Sequence, residues 1–96
     1  MELVIIARFH AQEGQEAAVA AGLREQVTGV RAEPGCLAIH AYRSTRDPRL
    51  FWIHSRWTGE EAFQVHAELP RTQRFVEQMQ ALIDHPFAAD RARILA

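Results

Sequence analysis

Ninety-six residues, 48% hydrophobic and 24% charged, describe one globular domain, residues 1–96, near the small end of the range in which a single core suffices. The net charge is −1 and the eleven basic residues, all arginine, are spread along the chain, which argues against nucleic acid and membrane surfaces as partners. A lone cysteine, Cys36, excludes an internal disulfide and a cysteine-based zinc site.

In chain order, residues 2–10 (ELVIIARFH) read as a strand rich in β-branched and aromatic side chains. No apolar run approaches the roughly 18 residues of a membrane helix. The N-terminus lacks the basic start and small-residue cleavage site of a signal peptide, so a cytoplasmic protein is expected. Gly14 breaks the strand, and residues 15–32 read as a helix. Val19, Leu23, Val27 and Val30 fall on one stripe of it. Glu33-Pro34-Gly35 ends the helix, because proline cannot continue it and glycine tolerates a left-handed turn.

Residues 36–43 (CLAIHAYR) alternate as a second strand, and the turn-rich 44–49 leads into a third at 50–57 (LFWIHSRW). A connection this short suggests an antiparallel hairpin. Thr58-Gly59-Glu60-Glu61 matches a capping box, predicting a short helix to about Ala67. A longer helix over 71–84 carries Phe75, Val76, Met79, Leu82 and Ile83 on one face, and His85-Pro86 stops it. The tail, 88–95, reads as a weak fourth strand.

This order is an α+β, ferredoxin-like β-α-β-β-α-β arrangement, an antiparallel sheet with helices on one face and strands 1 and 3 central. Odd positions (Leu3, Ile5, Ala7, Phe9; Leu37, Ile39, Ala41; Phe51, Ile53, Ser55, Trp57) are almost wholly apolar and belong under the helices. The even face is mixed: Val4, Ile6, Arg8, His10; Cys36, Ala38, His40, Tyr42; Leu50, Trp52, His54, Arg56. In a monomer its apolar members form a large exposed patch, which a two-fold partner covers most simply. A homodimer is therefore expected.

Three stretches carry a family resemblance: Pro34-Gly35-Cys36, then Phe51-Trp52-Ile53-His54-Ser55-Arg56-Trp57, then Thr58 to His66 with its acidic helix start, Ala62 and His66. Together with the opening strand and Gly14-Gln15-Glu16-Ala17-Ala18, they resemble the antibiotic biosynthesis monooxygenase family over nearly the whole chain. The resemblance implies a dimeric α/β barrel with a pocket in each subunit between helices and sheet. It also implies quinol- or anthrone-oxidising chemistry with dioxygen and no metal or flavin. Haem-degrading and isomerising relatives exist as well. The haem-degrading branch relies on an Asn-Trp-His set, and this chain has no asparagine. Of the Asn-Trp-Tyr group of anthrone oxidisers, only the tryptophan has a counterpart, Trp57. Where many relatives carry a glutamate two residues earlier, this chain has Ser55.

Within that frame His66 is the first candidate for a general base. It shares a helix face with Ala62 and Phe63, and a neutral imidazole there can remove a phenolic proton near neutral pH. His54 is the second choice. Trp57 either stacks on a planar substrate and donates its indole N–H, or plugs the end of the core. Phe9, Ile39, Ile53 and Phe75 are expected to line the pocket, with Arg71 holding a substrate oxyanion or carboxylate. His10, His40 and His54 share a sheet face, a pattern that suits a metal or a hydrogen-bonded layer between subunits; the second explains them at lower cost. Cys36 reads as a small buried hydrophobe. The expected function is cofactor-free oxygenation of a small quinol or polycyclic aromatic. The alternatives are an isomerase, or a dimeric binding module for a small hydrophobic ligand.

Overall fold

The computed structural model describes residues 1–96. The elements follow in the order β1 (Leu3–His10), α1 (Glu16–Val30), β2 (Cys36–Arg43), β3 (Leu50–Trp57), α2 (Glu60–Glu68), α3 (Pro70–Gln80) and β4 (Ala88–Ala92). They build one antiparallel sheet in the order β2-β3-β1-β4. The fold is the expected ferredoxin-like one, with strands 1 and 3 at the centre.

Strand periodicity and helix periodicity meet in one core. Leu3, Ile5, Ala7 and Phe9 of β1 face the same side as their register partners Trp57, Ser55, Ile53 and Phe51 of β3, and all eight are buried. The α1 stripe of Val19, Leu23, Val27 and Val30 packs on that face together with Phe75 and Met79 of α3. Fully burying side chains of this size contributes about 1.5–3 kcal/mol each, so the helix-facing layer carries the stability of the sheet. No helix is long and apolar enough to cross a membrane.

The register of β2 differs from simple alternation. Cys36 pairs with Trp57 and Ala38 with Arg56, so Leu37 is an extra, bulged residue. The bulge moves Cys36 to the helix-facing side, where it packs against the core, and leaves Leu37 47% exposed. Beyond the bulge, Ile39 and Ala41 return to the expected face opposite Ser55 and Ile53.

Two helix ends also differ from expectation. The capping box does not form: Gly59 is the N-cap of α2, and no side chain caps it. Instead the Thr58 N–H bonds to the Gly35 carbonyl, tying the start of α2 to the turn before β2. At the far end α3 stops at Gln80, because the chain turns to continue β1. Gln12 N–H donates to Leu82 O, Asp84 N–H donates to His10 O, and Ala11 bridges Ile83.

Candidate active site

Between the helix-facing side of the sheet and helices α2 and α3 lies a cavity of about 220 Å³. Its wall follows from the strand parity. Ile5, Ala7 and Phe9 of β1, Ile39 of β2 and Ile53 and Ser55 of β3 supply the floor, and Phe63, His66, Phe75 and Val76 close it from above. Phe87, at the entry to β4, stacks on Phe9 with ring centroids 5.0 Å apart and completes one side. The lining is overwhelmingly apolar, with a few polar groups set into it, as small-molecule sites generally are.

The polar group with the clearest chemistry is His66. Its Nδ1 lies 2.7 Å from Glu33 Oε1, and both side chains are about nine-tenths buried. Glu33 reaches it because the Pro34-Gly35 turn is held against the start of α2 by the Thr58–Gly35 hydrogen bond. Gly35 has φ +83°, and a Cβ there would collide with Ala62, so the close approach requires glycine. With Nδ1 engaged by a carboxylate, the tautomer that carries its proton on Nδ1 is favoured. Nε2 is then left as the acceptor for a proton from a ligand. The second carboxylate oxygen, Glu33 Oε2, is buried with no hydrogen-bond partner, as is Thr72 Oγ1. Thr72 belongs to the cavity wall.

Trp57 lies behind this pair, fully buried rather than in the wall. Its ring centroid is 4.7 Å from that of His66, and its edge meets Phe63 at 5.7 Å. The indole Nε1–H donates to Ser55 Oγ at 3.0 Å. That bond satisfies the buried indole inside the protein, so its N–H is already engaged. Trp57 therefore sets the plane and position of the His66 ring.

Of the other sequence candidates, Phe9, Ile39, Ile53 and Phe75 lie in the cavity wall with His66. His54 does not. A strand alternates its side chains, and His54 falls on the opposite face of the sheet, in a shallow hollow with Ile6, Tyr42 and Trp52. Arg71 is also outside the cavity: it lies against Gly29 of α1, in a groove between α1 and α3. The three histidines of the even face do not converge. His10 is held between Asp84 and Asp47 at 2.6 and 2.9 Å, whereas His40 and His54 are neighbours across β2 and β3. No three histidine, cysteine or acidic side chains come together in a metal-holding arrangement. Burial, with the Glu33 charge beside it, pushes the Cys36 thiol pKa upward, which suppresses the reactive thiolate.

Glu33 is the functional candidate that sequence reasoning missed, being read only as part of a helix-ending turn. It lies 33 residues from His66. No local sequence signal marked it: the pairing of Cys36 with Trp57, made by the bulge at Leu37, is what places the residues just before β2 beside those just after β3.

The sequence profile of the antibiotic biosynthesis monooxygenase family matches residues 2–78, well over half of the chain. The chain belongs to this family. Solved structures share its fold. Rv0793 from Mycobacterium tuberculosis is 25% identical, with a TM-score of 0.93 over 100% of this chain and 97% of its own. PA3566 from Pseudomonas aeruginosa is 29% identical, with a TM-score of 0.90 over 99% and 95%. A structure described as an antibiotic biosynthesis monooxygenase shares the fold at 23% identity, with a TM-score of 0.90 over 98% and 99%. No curated protein matches the chain. His66, in the last turn of α2, and Glu33, before β2, meet beside the cavity, and Ser55 accepts the Trp57 indole N–H.

Proposed function

We propose that this protein is a cofactor-independent monooxygenase of a small hydroxylated aromatic, with His66 as the general base and Glu33 as its positioning residue. The observation that carries this reading is the Glu33–His66 pair at the wall of an apolar cavity. Family membership supports it. The cavity, at about 220 Å³, exceeds the about 150 Å³ that accommodates a benzene. It suits one substituted ring or a compact pair of fused rings.

His66 Nε2 takes the proton of an aromatic hydroxyl, and Glu33 stabilises the imidazolium that results. The electron-rich anion passes one electron to dioxygen, leaving an aryloxyl radical and superoxide. Their recombination forms a C–O bond at the ring carbon opposite the hydroxyl. Loss of that carbon's proton breaks the O–O bond, with the imidazolium returning its proton to the departing oxygen. One oxygen atom ends as the quinone carbonyl and the other as water. The apolar walls at Phe9, Ile39, Ile53 and Phe75 keep bulk water from the radical pair.

The test is oxygen uptake by the purified protein with 1-naphthol and related hydroxyarenes. Uptake above the spontaneous rate with a quinone product is expected, and His66→Ala is expected to reduce kcat by about 10²–10⁴-fold. Glu33→Gln is expected to cost less, and in kcat more than in KM, because it loosens the base without touching the substrate. Full turnover by His66→Ala would sink the assignment. A proton-transfer isomerase is the second reading, because the same pair can enolise a carbonyl compound without oxygen. Turnover that persists anaerobically would select it.

A homodimer formed through the even face of the sheet belongs to the same proposal. Ile6, 40% exposed, and Tyr42, 50% exposed, flank the half-buried Trp52 and His54 there. Neither the cavity wall nor the Glu33–His66 pair uses that face.

A further inference from the structure

The largest hollow of the molecule is not the cavity but the groove between α1 and α3, about 860 Å³. Its lining includes three guanidinium groups, Arg24, Arg71 and Arg74, against one carboxylate, Glu25. Arginine ion pairs elsewhere in the chain use Arg49, Arg56 and Arg91, whereas these three are in none. Three unpaired like charges gathered between two helices repel one another, and a counter-charge placed among them relieves that repulsion. The Arg71 guanidinium lies directly over Gly29, whose lack of a Cβ leaves room for it in the groove. A planar guanidinium fork at that place matches the two oxygens of a carboxylate.

Two residues, Gln26 and Phe75, line both the groove and the cavity, so the two spaces share one wall. The cavity is apolar and holds one or two rings, while the groove is open and cationic. We propose that the substrate is an aromatic acid, whose ring enters the cavity and whose anionic group stays in the arginine groove. This inference rests on the cavity being the substrate site. It deepens the functional reading by assigning Arg24, Arg71 and Arg74 to recognition of a carboxylate or an equally charged group. The ring supplies hydrophobic affinity, and the anion sets orientation, directing the far end of the ring system toward His66.

Two probes separate the contributions: 2-naphthol, and 6-hydroxy-2-naphthoic acid, which adds a carboxylate at the end remote from the hydroxyl. Binding is measured by calorimetry, so neither oxygen nor turnover is required. The acid is expected to bind about tenfold or more tightly than the neutral naphthol, the difference of one good charge-assisted contact. Raising the salt is expected to shrink that ratio. In R71Q/R74Q the ratio is expected to fall to near one, and the single variants R71Q and R74Q to give intermediate ratios should the double variant fold poorly. An acid that binds no better than the naphthol, or not at all at millimolar concentration, overturns the proposal. So does a ratio that survives in R71Q/R74Q. Absence of oxygen uptake with 1-naphthol alongside an intact ratio would instead overturn the oxygenase reading alone.

Discussion

Ser55 shows how one small side chain can decide the role of a large one. It is 3% exposed, and its hydroxyl is the acceptor for the Trp57 indole N–H. Ser55→Ala leaves that N–H buried without a partner. The expected cost is about 1–3 kcal/mol in a urea denaturation, measured as a lower midpoint with an unchanged slope. The sequence marks Trp57 as aromatic and helix-facing, which is sound, but leaves its role open between substrate platform and core plug. What decides between them is a hydrogen bond two residues away along the same strand face. Glu33 was hidden for a related reason. Charge and spacing identify a carboxylate, but only the closure of the Pro34-Gly35 turn onto α2 brings it to His66.

At the scale of elements, strand faces and the apolar helix stripe were legible because period two and period 3.6 leave clear marks. The bulge at Leu37 left none. Leu37-Ala38-Ile39 continues the alternation without a break, so the pattern reads correctly from Ile39 onward and misplaces Cys36 and Leu37. The capping box failed because a nearby carbonyl, that of Gly35, took the Thr58 N–H and left Gly59 as the N-cap. Two glycines, Gly35 in the turn before β2 and Gly29 in the last turn of α1, give opposite expectations. Gly35→Ala combines a left-handed backbone with a collision against the Ala62 Cβ. It is expected to cost more than about 1 kcal/mol and to displace Glu33 from His66, lowering both Tm and kcat. Gly29→Ala meets only the far end of Arg71, a flexible side chain that can swing aside. Its melting temperature is expected to stay near that of the unmodified protein.

For the whole molecule, three distant segments are tied at one edge by His10. Its pKa is raised above the ordinary 6.5 by hydrogen bonds to Asp84 first and Asp47 second. Asp84 is lowered below the ordinary 3.8 chiefly by His10, and Asp47 by the Arg49 backbone N–H and then His10. The histidine contribution is fully present below pH 6.5 and fades as pH rises through the raised value. The aspartate contribution is present above pH 3.8 and fades as pH falls through the lowered values. Thermal melts are therefore expected to peak between about pH 4 and 6.5 for this clamp, and His10→Gln is expected to flatten the alkaline side of that profile. A slope unchanged in His10→Gln would assign it to other groups. The proposed dimer is a second property of the whole molecule. Ile6→Glu places a charge at the centre of the even face and is expected to yield monomers in sedimentation, leaving the cavity intact.

The two tryptophans sit on opposite faces of the same strand: Trp57 is enclosed and lies against His66, and Trp52 is half-buried on the far side. Light absorbed by an enclosed indole is re-emitted at short wavelength, and a positively charged imidazole in contact with it drains that emission. Replacing Trp52 by phenylalanine would thus leave a molecule whose only tryptophan reads, optically and without substrate, whether the ring beside it carries a proton.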